Sequence, residues 1–153
     1  MADSPTGLER RMVHRLLVHW REAQPEDGQF PSLDDFLARD LGDILPLIYV
    51  LEAAGGAEPM LERLGESYSG EAPADLAGRP LSSVPENTLL QQASRYFDKV
   101  MTKKVPITLG GEFTHANGAT ILYRSIIVPL RGGGENTYVL LGAANSKVKE
   151  GEA

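Results

Sequence analysis

Residues 119–130 read ATILYRSIIVPL. Alternate side chains of a strand point to opposite faces. Ile121, Tyr123, Ser125, Ile127 and Pro129 therefore share one face, and Leu122, Arg124, Ile126, Val128 and Leu130 the other. An antiparallel sheet with one wet side alternates polar and apolar residues. Here both faces are apolar, so each must be covered. The pattern elsewhere supplies the covers. Leu8, Met12, Leu16 and Trp20 recur every four residues, with Val13 and Leu17 beside them, which predicts a helix over residues 8–23. A second stripe, Leu89, Leu90, Ala93, Tyr96, Phe97, Val100 and Met101, predicts one long helix over 86–103. Glu86 at its start and Lys99, Lys103 and Lys104 at its end suit the helix dipole.

Between these helices, Ser32 reads as an N-cap with Asp34 and Asp35 in the first turn. Leu33, Phe36, Leu37 and Leu41 form the apolar face of that short helix. Pro46 then releases the chain into a strand over 47–52, Gly55-Gly56 reads as a turn, and 60–67 as a more polar strand. Residues 68–85, rich in Gly, Pro, Ser and Ala, hold at most short helical turns. Asn117-Gly118 is a type I′ hairpin signal, and Gly132-Gly133-Gly134 leads into a last strand over 136–144.

Strands and helices do not alternate, which favours α+β over a parallel doubly wound sheet. The expected architecture is a five-stranded antiparallel sheet with the long helix on one face and the N-terminal helix on the other. Residues 1–31 form the N-terminal helix and linker, 32–145 the core, and 146–153 an expected disordered tail.

Totals remove several functions. At 153 residues the chain suits one domain. A net charge of −6 argues against nucleic acid and anionic membranes, which select Lys/Arg clusters. The longest apolar run, residues 44–51, is eight residues, far below the ~20 of a membrane span. No secretory h-region is evident, so a cytoplasmic location is expected. Zero cysteines exclude disulfides, thiolate metal sites and Cys nucleophiles.

The order of elements, two strands, short helical turns, a long helix and three strands, resembles that of a PAS domain. Gly78-Arg79-Pro80-Leu81 is similar to the G-R-x-L step before the long helix in many PAS sequences. The whole chain, over about residues 8–145, resembles an alphaproteobacterial PAS family. The resemblance rests on the Trp-containing helix (Leu16-Leu17-Val18-His19-Trp20), Leu45-Pro46, Arg63-Leu64-Gly65, Pro129-Leu130 and Leu141-Gly142. It implies a sensory or protein-interaction module without catalytic residues, acting in bacterial signal transduction through a partner protein. Flavin light sensors of the family need an adduct-forming Cys, and haem sensors commonly place a His on the long helix. Neither residue is present there, so neither cofactor is expected.

Family ligands usually sit between long helix and sheet, which makes Leu90, Ser94, Phe97, Met101, Tyr123 and Ile127 the candidate walls of a small apolar-ligand pocket. A filled core is the competing reading. Leu8, Met12, Val13, Leu16, Leu17 and Trp20 are the candidate capping helix, wide enough to pair with a second copy as well, so a homodimer is expected. His14 and His19 do not share a helix face and no metal site is expected. Asp34, Asp35, Asp40 and Asp43 lack calcium-loop spacing. Residues 131–134 lead into a strand rather than a helix, unlike a phosphate loop. Glu112 and His115 form a weak acid/base pair. An α+β enzyme or carrier with an apolar substrate between helix and sheet, or a passive scaffold, are the alternatives.

Overall fold

The computed structural model describes residues 5–26, 28–54, 58–69, 76–115, 117–132 and 137–149. Helix α1 (Pro5–Ala23) and the short α2 (Leu33–Leu37) lead through a 3-10 turn (Gly42–Leu47) into β1 (Ile48–Ala54) and β2 (Met60–Leu64). Two more 3-10 turns, Glu66–Tyr68 and Leu81–Ser83, precede α3 (Leu89–Ser94) and α4 (Phe97–Lys103). Strands β3 (Ile107–Thr114), β4 (Thr120–Arg131) and β5 (Thr137–Val148) complete one antiparallel sheet in the order β2-β1-β5-β4-β3.

From Ser125 to Leu130 the two faces of β4 are covered as its pattern demands, while Ile121 and Leu122 stay half-buried outside both cores. Ile126, Val128 and Leu130 join Met12, Leu16 and Trp20 of α1 in one core, with Ile48, Val50, Leu141 and Ala143 from the neighbouring strands. Ile127 joins Leu90, Tyr96 and Val100 in the other, with Tyr49, Leu51 and Leu140. α+β, with a helical cover on each face, is the observed class.

Pro129 sits in β4 without disrupting it. The register of β3 on β4 ends at Ile107–Ile127, so beyond that point β4 has no strand on its β3 side. Residues two apart present their backbone groups to the same edge. Arg131, two residues on, sends its N–H to the Pro31 carbonyl at 2.8 Å, away from β5. Pro129 therefore faces the same edge, where its missing N–H costs no ladder bond. Its carbonyl accepts a 2.7 Å hydrogen bond from the indole Nε1 of Trp20. One side chain thus packs α1 on the sheet and closes the exposed end of β4.

Two motif glycines have equally local causes. A Cβ on Gly65 would meet the Pro46 carbonyl and lie 2.7 Å from that of Ile48, which itself accepts from the Gly65 N–H at 2.8 Å. A Cβ on Gly142 would enter the ring of Tyr49, its direct partner across β1 and β5.

Several boundaries differ from expectation. Pro46 lies inside the 3-10 turn, so β1 starts at Ile48. β2 stops at Leu64, because Gly65 folds back on Ile48 and residues 66–68 form a turn. The expected long helix starts three residues late. Pro85 precedes Asn87, which has φ 63°, and Thr88 is the N-cap, its Oγ1 accepting from the Gln91 N–H at 3.2 Å. It is also broken at Arg95–Tyr96.

The β3–β4 hairpin is not a two-residue turn. Gly118 N–H donates to His115 and His115 N–H to Ala119, each at 2.8 Å, so three residues intervene, with Gly118 at φ 93°. β5 runs through Val148, inside the segment expected to be a disordered tail, because residues 146–148 pair with 121–123. Gly55-Gly56 and Gly133-Gly134 lie outside the described residues.

Candidate functional site

The space between α3–α4 and the sheet is filled, chiefly by three tyrosines. Tyr49 and Tyr68 are fully buried and meet edge to face at 6.0 Å. Each buried hydroxyl is spent on the backbone, as low-dielectric surroundings require. Tyr68 Oη donates to the Leu47 carbonyl at 2.5 Å and Tyr49 Oη to that of Ala93 at 3.2 Å. Tyr96 Oη lies 2.9 Å from Ser125 Oγ, which donates onward to the Leu109 carbonyl at 3.1 Å. Burial pushes the phenols of Tyr49 and Tyr96 up from their ordinary value; for Tyr96 the Ser125 bond opposes the shift. Both are neutral donors, not bases.

These bonds explain the broken helix. Tyr49 takes the Ala93 carbonyl in the last turn of α3, and Ser94 Oγ donates back to Leu90 at 2.7 Å, a bond that bends helices. Tyr96 is turned inward toward Ser125, and α4 restarts at Phe97.

Of the six candidate pocket residues, Ser94 and Phe97 line the cavity over the helix break. Leu90 and Ile127 are fully buried in the packed core, and Met101 is half-buried against it. Tyr123 lies farther along the sheet, edge to face with Phe113 at 5.9 Å. The cavity, about 330 Å³, opens over the helix break. Pro59, Leu81, Val84 and Phe97 form its apolar wall, with Glu58, Ser82, Glu86, Gln91, Ser94 and Arg95 around them. Glu58 accepts from the Ser82 N–H at 2.6 Å, which holds its carboxyl below the ordinary value. A volume near the bottom of the ~300–1,000 Å³ range of ligand pockets suits a small molecule with an apolar body.

On α1, Met12, Leu16 and Trp20 are buried against the sheet, and Val13 and Leu17 pack partly on the same core. Leu8 lies where only the backbone of α1 is described. From Met12 to Trp20 the apolar stripe is thus occupied by the protein's own sheet.

The other polar candidates have local partners. Arg39 Nε donates to His19 Nδ1 at 2.9 Å, which requires a neutral imidazole; burial first, then the Arg39 charge, lower its pKa. Asp43 bonds Arg15 at 2.6 Å, which lowers its carboxyl. Asp40 accepts from Gly42 N–H at 3.2 Å, and Ser32 caps α2 through Asp35 N–H at 3.0 Å. Glu112 pairs with Lys149 at 3.5 Å, and His115 Nδ1 accepts from Asn117 N–H at 3.2 Å within the hairpin turn. Among the described residues no three His, Cys, Asp or Glu side chains converge.

The family model described as PAS domain matches residues 9–145. Among solved structures, the dark state of the LOV domain of the blue-light photoreceptor Aureochrome1 is 16% identical with a TM-score of 0.50, over 72% of this chain and 82% of that one. The PAS domain of an HTR-like protein from Haloarcula marismortui is 17% identical with a TM-score of 0.42, over 66% and 80%. The LOV domain of a blue-light-activated histidine kinase from Erythrobacter litoralis EL346 is 14% identical with a TM-score of 0.45, over 69% and 99%. At these identities the likeness concerns fold alone. No curated protein sequence matches.

Proposed function

The chain belongs to the PAS domain family, whose members are sensory and signalling modules, and we propose that it works in signal transduction by contact, without catalysis of its own. The input is a small, largely apolar molecule, not haem or a flavin adduct, seated in the cavity over the helix break. The output is a change in how α1 is presented to a second copy and to a signalling partner in the bacterial cytoplasm. No described helix is long and apolar enough to cross a membrane.

One observation carries this reading. Ile126 and Ile127 are consecutive and both fully buried, one in the core under α1 and the other in the core under α3–α4. Close-packed interiors transmit displacement, so a shift of the helix break moves the strand on which α1 rests. The break is the two-state element. In a straight helix the Ala93 carbonyl would accept from the Phe97 N–H; here it accepts from Tyr49. A ligand that prefers one arrangement biases the other face by its difference in affinity.

Hydrogen exchange on the Phe97→Ala protein tests this. Truncating that cavity wall is expected to raise exchange several-fold at amides 12–20 of α1 as well as at 90–100. Acceleration confined to 90–100, with α1 unchanged, contradicts coupling between the faces.

A further inference from the structure

The helix α1 has a second face. At 100° per residue, Arg11, His14, Val18 and Arg21 lie opposite the buried Met12, Leu16 and Trp20. Arg11, His14 and Arg21 are exposed, and Val18 stands among them half-exposed. This outer face is therefore basic around one apolar residue. On the same side of the sheet a groove of about 300 Å³ runs between α2 and β2. The fully buried Val50 is its floor, Leu33 and Leu37 are its wall, and Glu62 and Arg63 stand at its mouth.

The groove is acidic at its rim. Glu62 is the extra residue of a bulge, since Val50 pairs with Arg63 and Leu51 with Leu61. Its carboxyl hydrogen-bonds that of Glu52 on β1, and this bond, more than burial, raises its pKa. Among the described residues neither Glu52 nor Glu62 has an ion-pair partner. Asp34 and Asp35 on α2 add exposed negative charge at the other wall.

We propose that this side of the molecule is self-complementary: Val18 of one copy enters the Leu33–Leu37–Val50 groove of a second, and Arg11 and Arg21 face its acidic rim. Both patches belong to the α1 side of the sheet, so a two-fold axis parallel to the sheet, lying between two copies that face each other, satisfies both at once and closes the assembly as a dimer. A charge of −6 on each chain opposes association, so the local complementarity of basic helix and acidic groove sets the orientation. The inference rests on the homodimer reading above and names its surface.

Sedimentation equilibrium of the full chain tests it, with thermal unfolding as the check that each variant is folded. The dimer Kd is expected to rise about tenfold or more in Glu52→Lys/Glu62→Lys, in Arg11→Glu/Arg21→Glu and in Val18→Asp. The four-site charge swap is expected to restore the wild-type Kd within about threefold, and added salt to weaken the wild-type dimer. A dimer indifferent to Val18→Asp and to both charge reversals sinks this surface and leaves the homodimer standing. A wild-type chain that stays monomeric at every concentration sinks both, while exchange coupling between the two faces is judged separately.

Discussion

Trp20→Ala is expected to destabilise the fold by about 3–5 kcal/mol, a large part of the ~5–15 kcal/mol that holds a domain together. Two losses combine. The ring leaves a void in the core it shares with Leu16, Val128 and Leu130, and the Pro129 carbonyl loses the indole N–H. Trp20→Phe separates them, because phenylalanine keeps most of the apolar volume and removes the donor. That variant is expected to cost about 1–3 kcal/mol for the unpaired buried carbonyl. Trp20 is the only tryptophan, so urea unfolding must be followed by circular dichroism. A phenylalanine variant as stable as the wild type contradicts the role given to that hydrogen bond.

Gly142→Ala is expected to destabilise by about 3 kcal/mol, the upper end of ordinary overpacking. The added methyl would occupy the Tyr49 ring. The ring has no free exit: it is fully buried, lies edge to face on Tyr68, and is tied through its hydroxyl to Ala93. Residues in direct contact couple, so Tyr49→Leu together with Gly142→Ala should be less damaging than the sum of the two. Additive losses in urea unfolding would show that the glycine serves something other than the tyrosine ring.

The two-faced pattern of β4 made most of the architecture legible. Period two along that strand divides Ile126, Val128 and Leu130 from Ile127, and these residues do enter different cores. Helical periodicity likewise found the buried stripe of α1. Motif residues could be recognised but not explained until their partners were visible. Trp20 bonds a residue 109 positions away, and Gly65 and Gly142 make room for Pro46 and Tyr49.

The candidate site was less legible, for the same physical reason. The stripe from Leu89 to Met101 has unbroken helical spacing, and the break is imposed by Tyr49 and Ser125, 44 and 29 positions from their partners. No local window contains those bonds. Tyr68 sits in a stretch of small polar residues yet fills the interior, because a 3-10 turn after Gly65 folds it back. Glu58, Pro59, Leu81 and Val84 reach the cavity from segments without periodicity. The proline- and serine-rich composition of 80–85 was the available signal, and it marks irregular backbone without saying what that backbone encloses.

A single sheet, with a buried core on each side, is thus held to carry changes at the helix break to α1. The most direct test is the ¹⁹F resonance of fluorotryptophan at Trp20 in the Ser125→Ala protein. That change removes the hydroxyl on which Tyr96 rests and touches nothing on the α1 side. A shifted or doubled Trp20 resonance is predicted. A resonance superimposable on that of the otherwise unchanged protein, with exchange at 95–99 altered, would contradict the account.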